Sequence, residues 1–124
     1  MNVTVDKHSG FCWGVVRTIE IAEQELVNQG GQMFSLGEVI NNPMEVKRLE
    51  EKGLETVSLN SFEKAKGKTV LIRAHGEPPS TYKRAQELGI TIIDATCPVV
   101  TKVQERIRKF HLDGYQIVVY GKKD

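Results

Sequence analysis

Along this chain short apolar runs alternate with amphipathic stretches, and glycine or proline marks most of the boundaries. Residues 2–5 (NVTV) are a β-prone run. Over residues 14–29, Val15, Ile19, Ala22 and Leu26 recur at helical spacing while Arg17, Glu20 and Glu25 face away, which predicts a helix closed by Gly30 and Gly31. Residues 33–36 (MFSL) read as a strand. Asn42 and Pro43 then have the chemistry of an N-cap and a first helical residue, and Gly53 ends that helix. A weak strand is expected over 55–59 and a strong one over 69–74 (TVLIRA). Ser80 is the expected N-cap of a helix that stops at Gly89. Residues 91–95 (TIIDA) look like a buried strand. Pro98 opens a helix whose Val99, Val100, Val103, Ile107 and Phe110 form one apolar face, and residues 116–120 (QIVVY) are expected to be a last strand.

Strands alternating with helices predict an α/β fold, a mostly parallel sheet with helices on both faces. No internal repeat, low-complexity segment or linker interrupts the pattern. At 124 residues the chain has the length of one ordinary domain, and 40% hydrophobic with 27% charged residues describes a soluble globular protein. Seventeen basic against sixteen acidic residues leave a net charge of +1, with no block of like charge, so no nucleic-acid partner is implied. The opening residues MNVTVDKHSG show neither a basic leader with an apolar core nor a cleavage site, and no run approaches the length of a membrane span, so the cytoplasm is the expected location. Cys12 and Cys97 are the only cysteines. Two are too few for a disulfide scaffold, and a reducing compartment fits them.

In a parallel sheet, ligands collect at the carboxyl ends of the strands, where helix N-termini turn unpaired N–H groups outward. Four chemically capable side chains fall at that edge: Cys12 in GFCWG, Asn41 after MFSL, His75 in RAHGEPP and Cys97 in DATCPVVTK. Gly10, Gly14 and Gly76 beside them would let backbone approach a ligand. The proline-opened helix after Cys97 favours a thiolate, the form that ligates metal. Ordinary roles compete with this reading. A cysteine in a small domain is often a buried hydrophobe, and His75 alone would be a loop residue. His8 and His111, Trp13 and Tyr82, the Pro78-Pro79 pair and the charges of residues 102–109 have plain structural explanations. Two cysteines at long range complete neither a zinc site nor an iron–sulfur site, and the chain has no CxxC pair.

GFCWGV, RAHG and DATCPVVTK, in that order and spacing, resemble the N-terminal third of the 4-hydroxy-3-methylbut-2-enyl diphosphate reductase family, and the resemblance covers the whole chain. It implies three similar α/β modules, of which residues 1–97 approximately would be the first and residues 98–124 the connecting helix and first strand of the next. It implies a four-iron four-sulfur cluster held by three cysteines, with Cys12 and Cys97 matching the first two and the third lying far downstream. His75 matches a histidine that holds the substrate diphosphate, and Asn41 stands where the family usually has a second. The implied reaction removes the allylic hydroxyl to give isopentenyl and dimethylallyl diphosphates in the methylerythritol phosphate route to isoprenoids. Electrons would come from a ferredoxin- or flavodoxin-type protein. The family continues past GKKD into a His-Pro-Glu segment, so the chain is expected to be a fragment, inactive alone. The alternatives are a non-catalytic α/β binding or interaction module and a thiol redox protein using Cys12 and Cys97 as a pair.

Overall fold

Caps and glycine turns set several of the element boundaries. In the computed structural model, which describes residues 1–121, helix α1 spans Trp13–Asn28. It ends because Gly30 takes φ 70°, which lets the N–H of Gly31 donate to Leu26 at 2.8 Å and that of Gly30 to Val27 at 3.1 Å. Strand β1 (Met33–Leu36) follows. Helix α2 (Pro43–Glu51) starts as expected, with the Asn42 side chain accepting from the N–H groups of Met44 at 3.1 Å and Glu45 at 3.2 Å. Gly53, at φ 102°, turns the chain into strand β2 (Leu54–Val57), and a Cβ there would stand 1.8 Å from the Gly31 carbonyl oxygen. No other residue fits that position. A 3-10 helix over Leu59–Ala65, strand β3 (Thr69–Ile72), helix α3 (Pro79–Glu87), strand β4 (Thr91–Asp94) and helix α4 (Pro98–Leu112) complete the order.

The strands pair in parallel as β2-β1-β3-β4. Their last residues fall in register, Val57 beside Leu36, Leu36 beside Ile72 and Ile72 beside Asp94, so all four carboxyl ends open at one edge. Helices α1 and α2 cover one face, packing Ile19, Ala22, Leu26, Val46 and Leu49 on Met33, Leu54 and Leu71. The 3-10 helix and α3 cover the other, with Phe62, Ala65 and Ala85 on Leu36, Val57, Val70 and Ile72. Full burial of a side chain such as Phe62 contributes roughly 1.5–3 kcal/mol. Across the top of the first face, Glu23 of α1 pairs with Arg48 of α2 at 2.6 Å and with Lys52, which holds the Glu23 carboxyl below its ordinary range.

Several expectations are corrected. Residues 2–5 and 116–120 are not strands; they pair with no strand and run exposed, and an unpaired β run leaves its peptide groups to water. The strand over 91–95 is not a buried one: β4 ends at Asp94 and is the sheet edge, with Ile92 and Ile93 half-buried, and only Ala95 just beyond it is buried. The weak strand lies over Leu54–Val57, and Leu59 opens the unforeseen 3-10 helix, which a reciprocal pair of bonds between Ser58 and Ser61 caps. Ser80 does not cap α3; Pro78 occupies that position and Pro79 is the first helical residue, where its missing N–H costs nothing. Arg17 does not face away but reaches the end of β4. The apolar face of α4 lies open, with Val99 62% and Val103 52% exposed. The last three residues of the expected unit 98–124 lie outside the described residues.

Candidate functional site

The strand order places a topological switch between β1 and β3. From β1 the chain leaves through α2 on one face to reach β2; from β3 it leaves through α3 on the other face to reach β4. Loops that part in this way leave a crevice at the carboxyl edge, the usual ligand position in open α/β sheets. Asn41 lies in the loop on the β1 side and His75 in the loop on the β3 side, both exposed.

Non-local hydrogen bonds build the corner around Cys97. The N–H of Ala95 donates to Ile72 and that of Cys97 to Ala74, each at 2.9 Å, so the segment past β4 stays strapped to the segment past β3. Cys97 is thereby held against the residue that precedes His75. Asp94 fixes the bend: one carboxylate oxygen accepts from the Thr96 N–H at 2.9 Å and from the Thr96 hydroxyl, the other from the Tyr82 hydroxyl at 2.8 Å. Burial pushes the Asp94 carboxyl up, but the Thr96 hydroxyl and amide, the Tyr82 hydroxyl and the Arg17 charge together bring it below its ordinary value. Tyr82 shifts upward through burial and through its bond to Asp94.

Helix α1 docks on this same corner. The Thr18 hydroxyl donates to Gly14 at 2.9 Å and to Ala95 at 3.3 Å, and Arg17 donates to the Ala95 and Thr96 carbonyls at 3.4 Å. These bonds bring the start of α1, where Cys12 is the N-cap, to the start of α4, where Cys97 is the N-cap. Neither thiol caps its helix with a side-chain bond, and both are free. They converge on Gly14: a Cβ there would lie 2.7 Å from the Cys97 sulfur and 4.0 Å from that of Cys12. The two sulfurs therefore cannot be farther apart than those two distances combined. Gly14 leaves the room that the Cys97 thiol fills. Among the described residues no cluster of three or more His, Cys, Asp or Glu side chains could close a metal site. The donor set is two soft sulfurs at two helix N-termini, which suits an iron–sulfur cluster and leaves it needing a further ligand.

His75 opens onto a cleft of about 730 Å³ with Tyr82, Asp94, Thr96, Gln104 and Arg108 in its walls. Gly76, at φ 74°, brings backbone within reach of Thr96, whose methyl group would stand 3.1 Å from a Cβ placed there. Asn41 is not drawn into this cluster; β3 separates the end of its strand from that of β4. Sequence reasoning missed Arg17, Asp94 and Thr96. The Asp-x-Thr spacing in DATC is a turn signature that could have flagged the last two; nothing local marks Arg17.

The family model described as LytB protein matches residues 3–124. The chain belongs to the LytB family. Curated relatives of this LytB chain are 4-hydroxy-3-methylbut-2-enyl diphosphate reductases: that of Chloroherpeton thalassium is 50% identical over 123 residues, covering 99% of this chain and 39% of the relative. That of Porphyromonas gingivalis is 46% identical over 125 residues, covering 98% and 43%. A solved (E)-4-hydroxy-3-methyl-but-2-enyl diphosphate reductase, described as the terminal enzyme of the non-mevalonate pathway, superposes with a TM-score of 0.77 at 39% identity over 88% of this chain and 38% of its own. The reductase from Plasmodium falciparum gives 0.80 at 30% identity, over 88% and 34%. The LytB chain thus spans about two-fifths of the length of its curated relatives. Among its described residues no helix is long and apolar enough to cross a membrane.

Proposed function

We propose that this chain is the N-terminal part of a 4-hydroxy-3-methylbut-2-enyl diphosphate reductase, contributing two of three cysteine ligands to a four-iron four-sulfur cluster and part of the diphosphate site. One observation carries the reading: the Cys12 and Cys97 sulfurs meet over Gly14 in a chain of the LytB family. When bound, the cluster would supply both a Lewis acid for the allylic oxygen and a path for the electrons. The overall reaction breaks the allylic C–O bond, consumes two electrons and two protons, and releases water. Isopentenyl and dimethylallyl diphosphates are the products, in the methylerythritol phosphate pathway.

The residues of this chain bind and orient. His75, exposed at the crevice, donates a hydrogen bond or positive charge to the diphosphate. Asn41 donates from a neutral amide, so this side of the site holds the diphosphate less tightly than a histidine would. The Asp94 network keeps Cys97 and the His75 loop in fixed relation. Residues 1–97 form the first module and residues 98–124 begin a second; the open apolar face of α4 supports this, since it packs on nothing in the first sheet. A ferredoxin- or flavodoxin-type protein in the cytoplasm would deliver the electrons. The third cysteine and the proton-relaying glutamate belong to the rest of the parent protein, so the chain alone lacks turnover.

Anaerobic reconstitution of the 124-residue chain with iron and sulfide, counted per chain and assayed alongside for reductase turnover, tests this. The expected result is no stable cluster and no turnover, with both present in the complete protein. Absence of iron from the complete protein would sink the proposal. The nearness of the thiols also favours a second reading, a dithiol that passes two electrons and two protons to an oxidant as it closes to a disulfide. Mild oxidation with glutathione disulfide decides it: an intramolecular disulfide in the complete, iron-loaded protein, reversed by dithiothreitol, is required.

A further inference from the structure

The loop after β3 begins with an arginine, Arg73, whose side chain has no hydrogen-bond or ion-pair partner among the described residues. Leu71 packs into the core beneath α1 and α2, and strand alternation puts Arg73 on that same face, at the carboxyl edge. Its guanidinium lies over Gly37, the residue that follows β1, where a Cβ would stand 3.0 Å from Nη1 and 3.1 Å from Cζ. Arg73 therefore bridges the ends of β1 and β3, across the switch crevice between the Asn41 and His75 loops. The Arg73 Nε is buried and reaches no acceptor, and among the described residues Arg73 is in none of the ion pairs, which engage Arg48, Lys52 and Arg84. The nearby Arg17 is committed to backbone carbonyls.

A half-buried guanidinium whose Nε lacks an acceptor is unfavourable as it stands and becomes favourable when an anion arrives at it. A guanidinium presents a planar fork of donors, which matches the paired oxygens of a phosphate group. We infer that Arg73, seated on the bare backbone of Gly37, is the principal cationic anchor for a phosphate-bearing ligand in the β1–β3 crevice. This rests on the diphosphate reading above and deepens it: it assigns the fixed positive charge of the β1–β3 crevice to this arginine, between the neutral Asn41 and the His75 cleft that Arg108 also lines.

Two experiments test it. In nitrogen-15 NMR of the 124-residue chain, inorganic pyrophosphate should shift the Arg73 Nε–Hε signal saturably, while acetate at the same ionic strength should not. In the complete reductase, Arg73→Gln should raise KM for the diphosphate substrate at least about 10-fold with unchanged iron per chain, and Arg73→Lys, which keeps the charge but loses the fork, should raise it less. An Nε–Hε signal indifferent to pyrophosphate, or an unchanged KM in Arg73→Gln, overturns the inference. The titration needs neither a variant nor turnover. Unchanged KM with turnover intact removes only the role of Arg73; absence of turnover and iron removes the reductase reading and leaves the titration to judge the anion site alone.

Discussion

Helices α1 and α4 make an instructive pair. They are 16 and 15 residues long, each is entered from a cysteine, and each has an apolar stripe at helical spacing. Yet α1 buries Gly14, Thr18, Ile19, Ala22 and Leu26, whereas α4 buries nothing. The sheet explains the difference. Helix α1 lies against it and is bonded to the end of β4 through Thr18 and Arg17. Helix α4 leaves from the edge strand, and among the described residues no further strand lies beyond β4 for it to cover. An apolar stripe states that a helix packs on something; where the chain is led next decides on what.

The strongest way to break the comparison is at the cysteines that start the two helices. In the complete reductase, Cys12→Ser and Cys97→Ser should each reduce bound iron to background and lower turnover by at least about 100-fold, because both sulfurs border the same space. Iron retained in one variant and lost in the other would show that the thiols do not share a ligand. Next in size is the packing of α1: Leu26→Ala should cost about 2–5 kcal/mol in urea unfolding of the chain, since Leu26 is 3% exposed. A cost below about 1 kcal/mol would mean that α1 does not close the core.

Gly14→Ala should destabilise the chain by about 1–3 kcal/mol even though alanine is the better helix former, because its methyl meets the Cys97 sulfur. The loss should shrink when Cys97→Ala is added; a cost that persists in the double variant would assign it elsewhere. A smaller effect concerns acid. The Asp94 carboxyl is held below its ordinary value of 3.8, so its contribution to stability is fully present above that pH and disappears as pH falls through the lower, folded-state value. Melting temperature followed from pH 7 to pH 3 should therefore fall less steeply in Asp94→Asn than in the wild-type chain, and equal slopes would refute the assignment. The smallest effect is expected on α4, where Ile107→Ala should change stability by less than about 0.5 kcal/mol in this chain.

Legibility in the sequence followed locality. The strands at Met33–Leu36 and, expected over 69–74 but ending at Ile72, Thr69–Ile72, together with the opening of α2, were readable because apolar runs and capping residues act within a few positions. The 3-10 helix was not, since its apolar anchors Phe62 and Ala65 sit in a polar stretch and only the Ser58–Ser61 cap defines its start. The runs at 2–5 and 116–120 have strand composition without strand structure, because pairing needs a neighbour that composition cannot supply. At the site, the positions of His75 and Cys97 at strand-to-helix corners followed from the alternation of elements, whereas Cys12 follows no strand and stands only at the start of α1. The lack of an acceptor for the Arg73 Nε among the described residues and the locking of Asp94 by Tyr82 and Thr96 did not, for they depend on side chains from separate parts of the chain.

By itself the sequence determined the order of the four helices and of the four strands between them, that these strands run parallel, and which reactive side chains occupy the loops at their carboxyl ends. These follow from caps, glycine turns and periodicity, whose energies act over one or two turns of chain. Only the tertiary structure decided the order β2-β1-β3-β4, the crevice it opens between β1 and β3, and the meeting of Cys12 with Cys97. That meeting rests on the bonds from Cys97 to Ala74 and from Thr18 to Ala95, which join distant parts of the chain. Such contacts form only when the whole sheet has closed, because the entropy of bringing distant segments together is offset by the collective burial of the core and by no single local signal.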